Sequence, residues 1–289
     1  MNKTPKTSSE LYYLLSAQVK LDFNLRKVDF NELEKDLPTV MGDNLKRIRS
    51  LLKWSQKEAA AALGVSLSQY KKFEAGREIM RMVTAARWTV VTGISFHQLF
   101  YKSRLPLDWD QHRIHEYMAQ LQPMVNDLTE DQFTSWFHLV TTLLGLDVKY
   151  DNTSYTHTSK EKALADLETY YSFVATGITT FRAITSLTQE TLADYLSVHL
   201  STVQGYESKD SQNFSVIMAT RFYLATGVNP LWLVAGTNFF YYRKLQSARV
   251  DALTAIAEQI SPGQFRQIME LARSTLLLTS ENPNIAINQ

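Results

Sequence analysis

The sequence predicts an all-α protein, and three observations carry that reading. Apolar residues recur every three to four positions through most of the chain, as in Leu45, Ile48, Leu51 and Leu52, in Leu164, Leu167, Tyr171 and Val174, and in Val250, Leu253, Ile256 and Ile260. Glycine and proline fall mostly between such runs, where they punctuate helices. No convincing series of alternating apolar and polar residues marks a set of strands. Composition narrows the class further. With 289 residues, 45% of them hydrophobic, the chain is long enough to bury a proper core in one large domain or two ordinary ones. The absence of cysteine excludes a disulfide framework and a thiolate metal site. Thirty basic and 29 acidic residues leave a net charge of +1, which taken alone argues against a nucleic-acid binder.

Taken in order, residues 1–43 form an N-terminal helical arm. Its start, MNKTPKTSSELYYLL, has lysines but no apolar run that would serve a signal peptide. The most apolar stretches, 83–94 and 223–235, are shorter than the roughly 20 residues that span a bilayer. The expectation is a cytoplasmic protein with no membrane partner. Residues 44–102 form a first domain. Leu45, Ile48 and Leu51 make the apolar stripe of one helix; Ser55 with Glu58 three residues on is a capping box that opens the next. Ala60 is small enough for another helix to cross closely, and Gly64 permits the left-handed backbone of a tight inter-helix turn. Ser66 caps a third helix, which Val65, Tyr70 and Phe73 point into the core and Gly76 ends. Two short helices joined by so short a turn form a helix-turn-helix. Residues 103–150 then read as a helical hairpin, and the polar segment 151–159, DNTSYTHTS, as a linker.

That linker lies mid-chain, and an internal repeat flanks it. SQKEAAAALGVSLSQYKKFE (55–74) aligns with TQETLADYLSVHLSTVQGYE (188–207), keeping Gln56/Gln189, Ala60/Ala193, Leu63/Leu196, Val65/Val198, Leu67/Leu200, Ser68/Ser201 and Glu74/Glu207. AARWTVVTGIS (85–95) continues onto ATRFYLATGVN (219–229), and 128–144 matches 260–276 more loosely. Three ordered blocks at offsets of 133, 134 and 132 make chance resemblance of helical composition a poor explanation. Residues 160–238 are therefore read as a second, diverged copy of the first domain, and 239–289 as a second helical hairpin and tail.

The pattern SQ-x3-A-x2-LGVS-x7-E-x-G resembles the Xre family of transcriptional regulators, of the lambda-repressor and Cro type. AARWTVVTGIS and ISFHQLF look like that family's fourth and fifth helices, so the resemblance covers 44–100 and returns more loosely at 178–236. It implies two lambda-repressor-like domains, each followed by a helical hairpin, in a bacterial or phage-derived regulator of double-stranded DNA. By that resemblance Gln56 meets a phosphate at a helix N-terminus, and the third helix enters the major groove. Leu67, Ser68 and Gln69 then face the bases with Lys71 and Lys72 one turn on, Ser66 at the cap joins the DNA-binding set, and Arg77 and Arg81 flank the following loop and hold the backbone. The chemistry suits this: glutamine pairs with adenine, lysine reaches guanine, and leucine contacts a thymine methyl. Glu74 reads as structural, an acid paired with neighbouring basic groups. In the second copy the corresponding set is Gln189, His199, Leu200, Ser201, Thr202 and Gln204. There Ser197 replaces Gly64, at some conformational cost, Lys209 replaces Gly76, and Gln204 and Gly205 replace the two lysines. This copy is either an assisting reader or a retained fold used for packing, dimerisation or partner binding.

Other constellations carry less. Asp108, Asp110, His112, His115 and Glu116 lie close together, but no third firmly placed ligand completes a metal site, and the bland reading is a polar helix entry. No phosphate loop, nucleophile elbow or HExxH pattern appears, so neither enzyme nor cofactor is expected. Aromatic clusters such as Tyr170, Tyr171 and Phe173 are most simply core; they also allow an effector, small molecule or protein. The amphipathic pairs at 112–146 and 246–278, or the N-terminal arm, are the expected homodimer contacts. The charge resolves once it is divided. Residues 44–77 hold eight basic and two acidic residues, a net +6; residues 177–210 hold two and four, a net −2. The near-neutral total is an average over unlike parts.

Overall fold

The computed structural model describes residues 7–106, 115–151, 158–208 and 213–279. The arm contributes α1 (Thr7–Asp22) and α2 (Phe30–Glu34). Then come α3 (Leu37–Leu51), α4 (Gln56–Leu63), α5 (Leu67–Glu74), α6 (Met82–Thr92) and a 3-10 turn at Phe96–Phe100. The first hairpin is α7 (His115–Asn126) with α8 (Glu130–Leu144). The second half opens on α9 (Lys160–Asp166) and continues through α10 (Tyr170–Thr185), α11 (Gln189–Leu196), α12 (Leu200–Glu207), α13 (Val216–Thr226) and a 3-10 turn at Pro230–Val234. It closes with α14 (Asn238–Ala257) and α15 (Pro262–Thr279). Among the described residues there is no strand.

Local chemistry explains several departures from the sequence reading. α3 starts at Leu37, seven residues before the expected boundary at 44, because Pro38 sits in its first turn, where a missing N–H costs nothing. The apolar run 164–174 is not one helix: it breaks into a 3-10 turn at Leu167–Thr169. Asp166, at the break, turns its carboxylate onto the first turn of α14, accepting from Phe239 N at 2.9 Å and Asn238 Nδ2 at 3.3 Å. The expected fifth helix around ISFHQLF is only a 3-10 turn. Buried Asn44 on α3 takes the carbonyls of Leu99 and Tyr101 at 3.1 and 2.8 Å and fixes the chain there. The Asp108–Glu116 cluster, most of the 151–159 linker, Lys209 and the tail from 280 lie outside the described residues, in whole or for their side chains.

Two cores hold these helices. The larger runs through both halves and the arm, from Leu15 and Leu45 to Tyr70, Trp88, Phe181, Phe222 and Leu233. The arm, contrary to its place in the sequence, packs on the second half. Asn24 N and Arg26 N donate to the carbonyls of Thr226 and Ala225 at 2.9 Å each, and Glu34 pairs with Arg221 at 2.6 Å. The smaller core joins the two hairpins: Phe133, Trp136 and Val140 of α8 and Leu121 and Val125 of α7 meet Leu253 and Ile256 of α14 and Phe265 and Ile268 of α15. The hairpin faces expected to join two chains are thus spent on each other within one chain.

The two halves touch through a reciprocal contact. Met82 N donates to Phe214 O at 3.0 Å, and Val216 N donates to Met80 O at 3.2 Å, making an antiparallel bridge between Arg81 and Ser215. Met80 and Phe214, and Met82 and Val216, each stand 134 residues apart. Such reciprocity belongs to any antiparallel bridge; here 134 is also the offset that aligns 85–95 with 219–229, so the bridge pairs corresponding positions of that alignment.

Candidate nucleic-acid interface

The Ser55–Leu63 start folds as its sequence dictates. Ser55 Oγ accepts from Glu58 N at 3.2 Å, and Glu58 accepts from Ser55 N at 2.6 Å, completing the capping box. Gly64 closes α4 at φ 67°, and Ser66 caps α5 by accepting from Gln69 N at 3.1 Å. Tyr70 and Phe73 are buried on the inner face of α5. With those two residues inward, helical spacing puts Leu67, Ser68, Lys71 and Lys72 outward. All four are exposed, as are Ser66, Arg77 and Arg81. Leu67, Ser68, Lys71 and Lys72 therefore share the outer face of α5, with Gln69 half-buried beside them.

An ion-pair network fixes this helix to its neighbours. Glu74 accepts from Arg49 Nε at 2.5 Å, from Gln56 Nε2 at 2.6 Å and from the Tyr70 hydroxyl at 2.9 Å. Arg49 also donates to Trp54 O at 2.9 Å. The two charged side chains are only 15% and 6% exposed. Burial pushes the Glu74 carboxyl upward, but the three donors outweigh it and hold its pKa below the usual carboxylate range. The same bonds to Glu74 raise the Arg49 pKa. One carboxylate thereby ties α3, α4 and α5 together, the structural role expected of it. The Gln56 amide nitrogen donates to Glu74 from the first turn of α4, so Gln56 is held at that helix start.

One residue that sequence reasoning passed over belongs to this surface. Glu78 accepts from Gln69 Nε2 at 2.6 Å and stands 3.7 Å from Lys72 Nζ. It holds two of the predicted reading residues and lowers the local charge by one. The signal was available: Glu78 follows Arg77 directly, one position beyond the window in which the charge was counted.

The second half repeats the bonding pattern with a different surface. Arg182 pairs with Glu207 and donates to Leu187 O at 2.9 Å, and Gln189 Nε2 donates to Glu207 at 2.6 Å. Glu207 is likewise held below the usual carboxylate range against the pull of burial. Ser197 closes α11 at φ 53°, ψ 50°, a left-handed backbone like that of Gly64 after α4. His199, Ser201 and Gln204 are exposed, and Leu200, Thr202 and Gln189 half-buried. No cation occupies the outer face of α12, and nearby Asp194 is taken by Lys27 of the arm.

Among the described residues no group of acidic or histidine side chains is arranged to hold a metal ion, and no helix is long and apolar enough to cross a membrane. Comparison with protein families matches residues 45–98 to the helix-turn-helix family HTH_3. The first half thus carries a helix-turn-helix domain of the Xre type, the kind found in DNA-binding regulators. No curated protein and no solved structure matches the chain.

Proposed function

We propose that this protein is a sequence-specific transcriptional regulator of Xre type that reads its operator mainly through the first half. Leu67, Ser68, Gln69, Lys71 and Lys72 face the bases; Gln56, Ser66, Arg77 and Arg81 lie where the phosphate backbone passes. The observation that carries the reading is α5 itself, presented outward with two lysines and anchored from behind by Glu74. Replacing Lys71 and Lys72 together by alanine is expected to weaken binding to a duplex and to flatten its salt slope by about 1–2. Unchanged affinity and slope would reject the assignment.

The second half is proposed to join as a weaker reader through Gln189, His199, Leu200, Ser201, Thr202 and Gln204. The bridge between Arg81 and Ser215 supports this, because an antiparallel pairing of corresponding positions suits an inverted pair of half-sites. The alternative, a protein-interaction or dimerisation role for that half, is favoured by its net charge of −2 and by the arm lying across it. Footprinting separates the two readings: protection of two half-sites by one chain supports two readers, and protection of one half-site supports the packing role. Homodimerisation would have to use other faces than the hairpin interiors, and light scattering at micromolar concentration decides it.

A further inference from the structure

A cavity of about 300 Å³ lies on the seam between α6 and its 3-10 turn, α7, α14 and the start of the second 3-10 turn. That volume is at the lower end of small-molecule sites. Its wall is apolar at Met82, Ala86, Phe96, Met118 and Leu231, and Arg243 brings a guanidinium to it. Arg243 lines it from α14. Among the described residues its hydrogen-bond partner is Gln246 alone, and no carboxylate pairs with it. Gln246 is 3% exposed and bonded in turn to Thr89 O at 3.0 Å and to Asn126, so the guanidinium is mounted on a fixed base. Tyr170 lines the same cavity, is 4% exposed, and packs its ring edge-on to Phe239 at 5.8 Å.

We infer that this cavity binds a small carboxylic acid with an apolar body, its carboxylate on Arg243. A planar guanidinium with N–H donors to spare beyond its one bond to Gln246 suits a carboxylate, and the apolar wall suits hydrocarbon. Burial lowers the Arg243 pKa to about 10, which still leaves it charged at neutral pH. The other charged group on the wall is Asp251, eight residues further along α14 and so about 12 Å away along the helix axis. Its charge is met by Lys244.

The test uses the full chain and ligand-observed NMR with three matched sets: phenylacetate and hexanoate, their primary amides, and the corresponding amines. The acids are expected to bind at least about tenfold more tightly than amides or amines and to compete with one another. Arg243→Met should abolish that preference. Should Arg243→Met fail to fold, Ser247→Trp at the exposed rim fills the mouth and should remove acid binding at unchanged melting temperature. The inference is overturned if no probe binds, if acids bind no better than amides, or if acid binding survives Arg243→Met or Ser247→Trp. None of these readouts involves DNA, and Lys71→Ala/Lys72→Ala should bind the acids normally. A change in duplex affinity on saturation with acid rests on the function proposed above; its absence with acid binding intact would remove only that coupling.

Discussion

Glu78 offers a direct perturbation of the proposed DNA surface. Glu78→Gln removes one negative charge while keeping an amide oxygen to accept from Gln69, so the loop geometry should persist. The Lys72–Glu78 separation is 3.7 Å, with side chains 56% and 41% exposed. At the dielectric of water such a pair is worth about 1 kcal/mol, and exposed pairs commonly yield about 0.2–1 kcal/mol. DNA binding must give up this interaction before Lys72 can meet the duplex. The variant is therefore expected to bind a mixed-sequence duplex of about 30 base pairs up to about fivefold more tightly, from about 1 kcal/mol. If the freed Lys72 charge displaces one further counterion, the slope of log affinity against log salt steepens by about 0.9. Fluorescence anisotropy between about 50 and 200 mM salt measures both. Equal or weaker binding, or a gain that does not change with salt, would refute the reasoning that Glu78 competes with DNA for Lys72.

Three further outcomes follow from the fold. A Cβ added at Gly42 would stand 2.6 Å from Glu74 O and 2.9 Å from Phe73 O, both backbone atoms, so Gly42→Ala should destabilise by about 1–3 kcal/mol in urea titration by forcing α3 and α5 apart. Ser197 holds φ 53°, so Ser197→Gly should stabilise by about 1 kcal/mol, and Gly64→Ala, at φ 67°, should destabilise by a similar amount. Glu74 has a depressed pKa in the fold, so the stability it contributes is present above the unfolded carboxyl pKa and lost as pH falls through the folded one. Glu74→Ala should accordingly cost about 2–3 kcal/mol at neutral pH, a difference that stays flat down to about pH 5 and shrinks below about 4.5.

What the sequence disclosed was the local part. Ser55, Glu58, Gly64 and Ser66 are caps and turns whose chemistry acts within four residues, and the helices around them begin and end as those residues require. Tyr70 and Phe73, read as core, are buried. What it hid was long-range. Nothing local sends the arm to Thr226 and Arg221, or joins α7 and α8 to α14 and α15, because an amphipathic stripe says that it will be covered but not by what. The same limit applies at the site. Gln56 was read for a phosphate, and nothing local showed that Glu74, eighteen residues away, holds its amide; Glu78 was missed because its partners lie six and nine residues back across a turn. Asp166 likewise breaks an apparently continuous apolar run for the sake of a helix start 72 residues on.

The reciprocal bridge between Arg81 and Ser215 joins two units that are already covalently continuous. Subunits of a homodimer must meet before they can act, so their activity rises with the square of concentration when dilute, and every substitution appears in both. Here the halves are tethered, their effective concentration is set by the chain rather than by expression, and occupancy of a duplex by one chain would follow a simple hyperbola with a Hill coefficient of 1. Tethering also frees each half to change alone. A net +6 beside a net −2 is a state that identical subunits cannot reach.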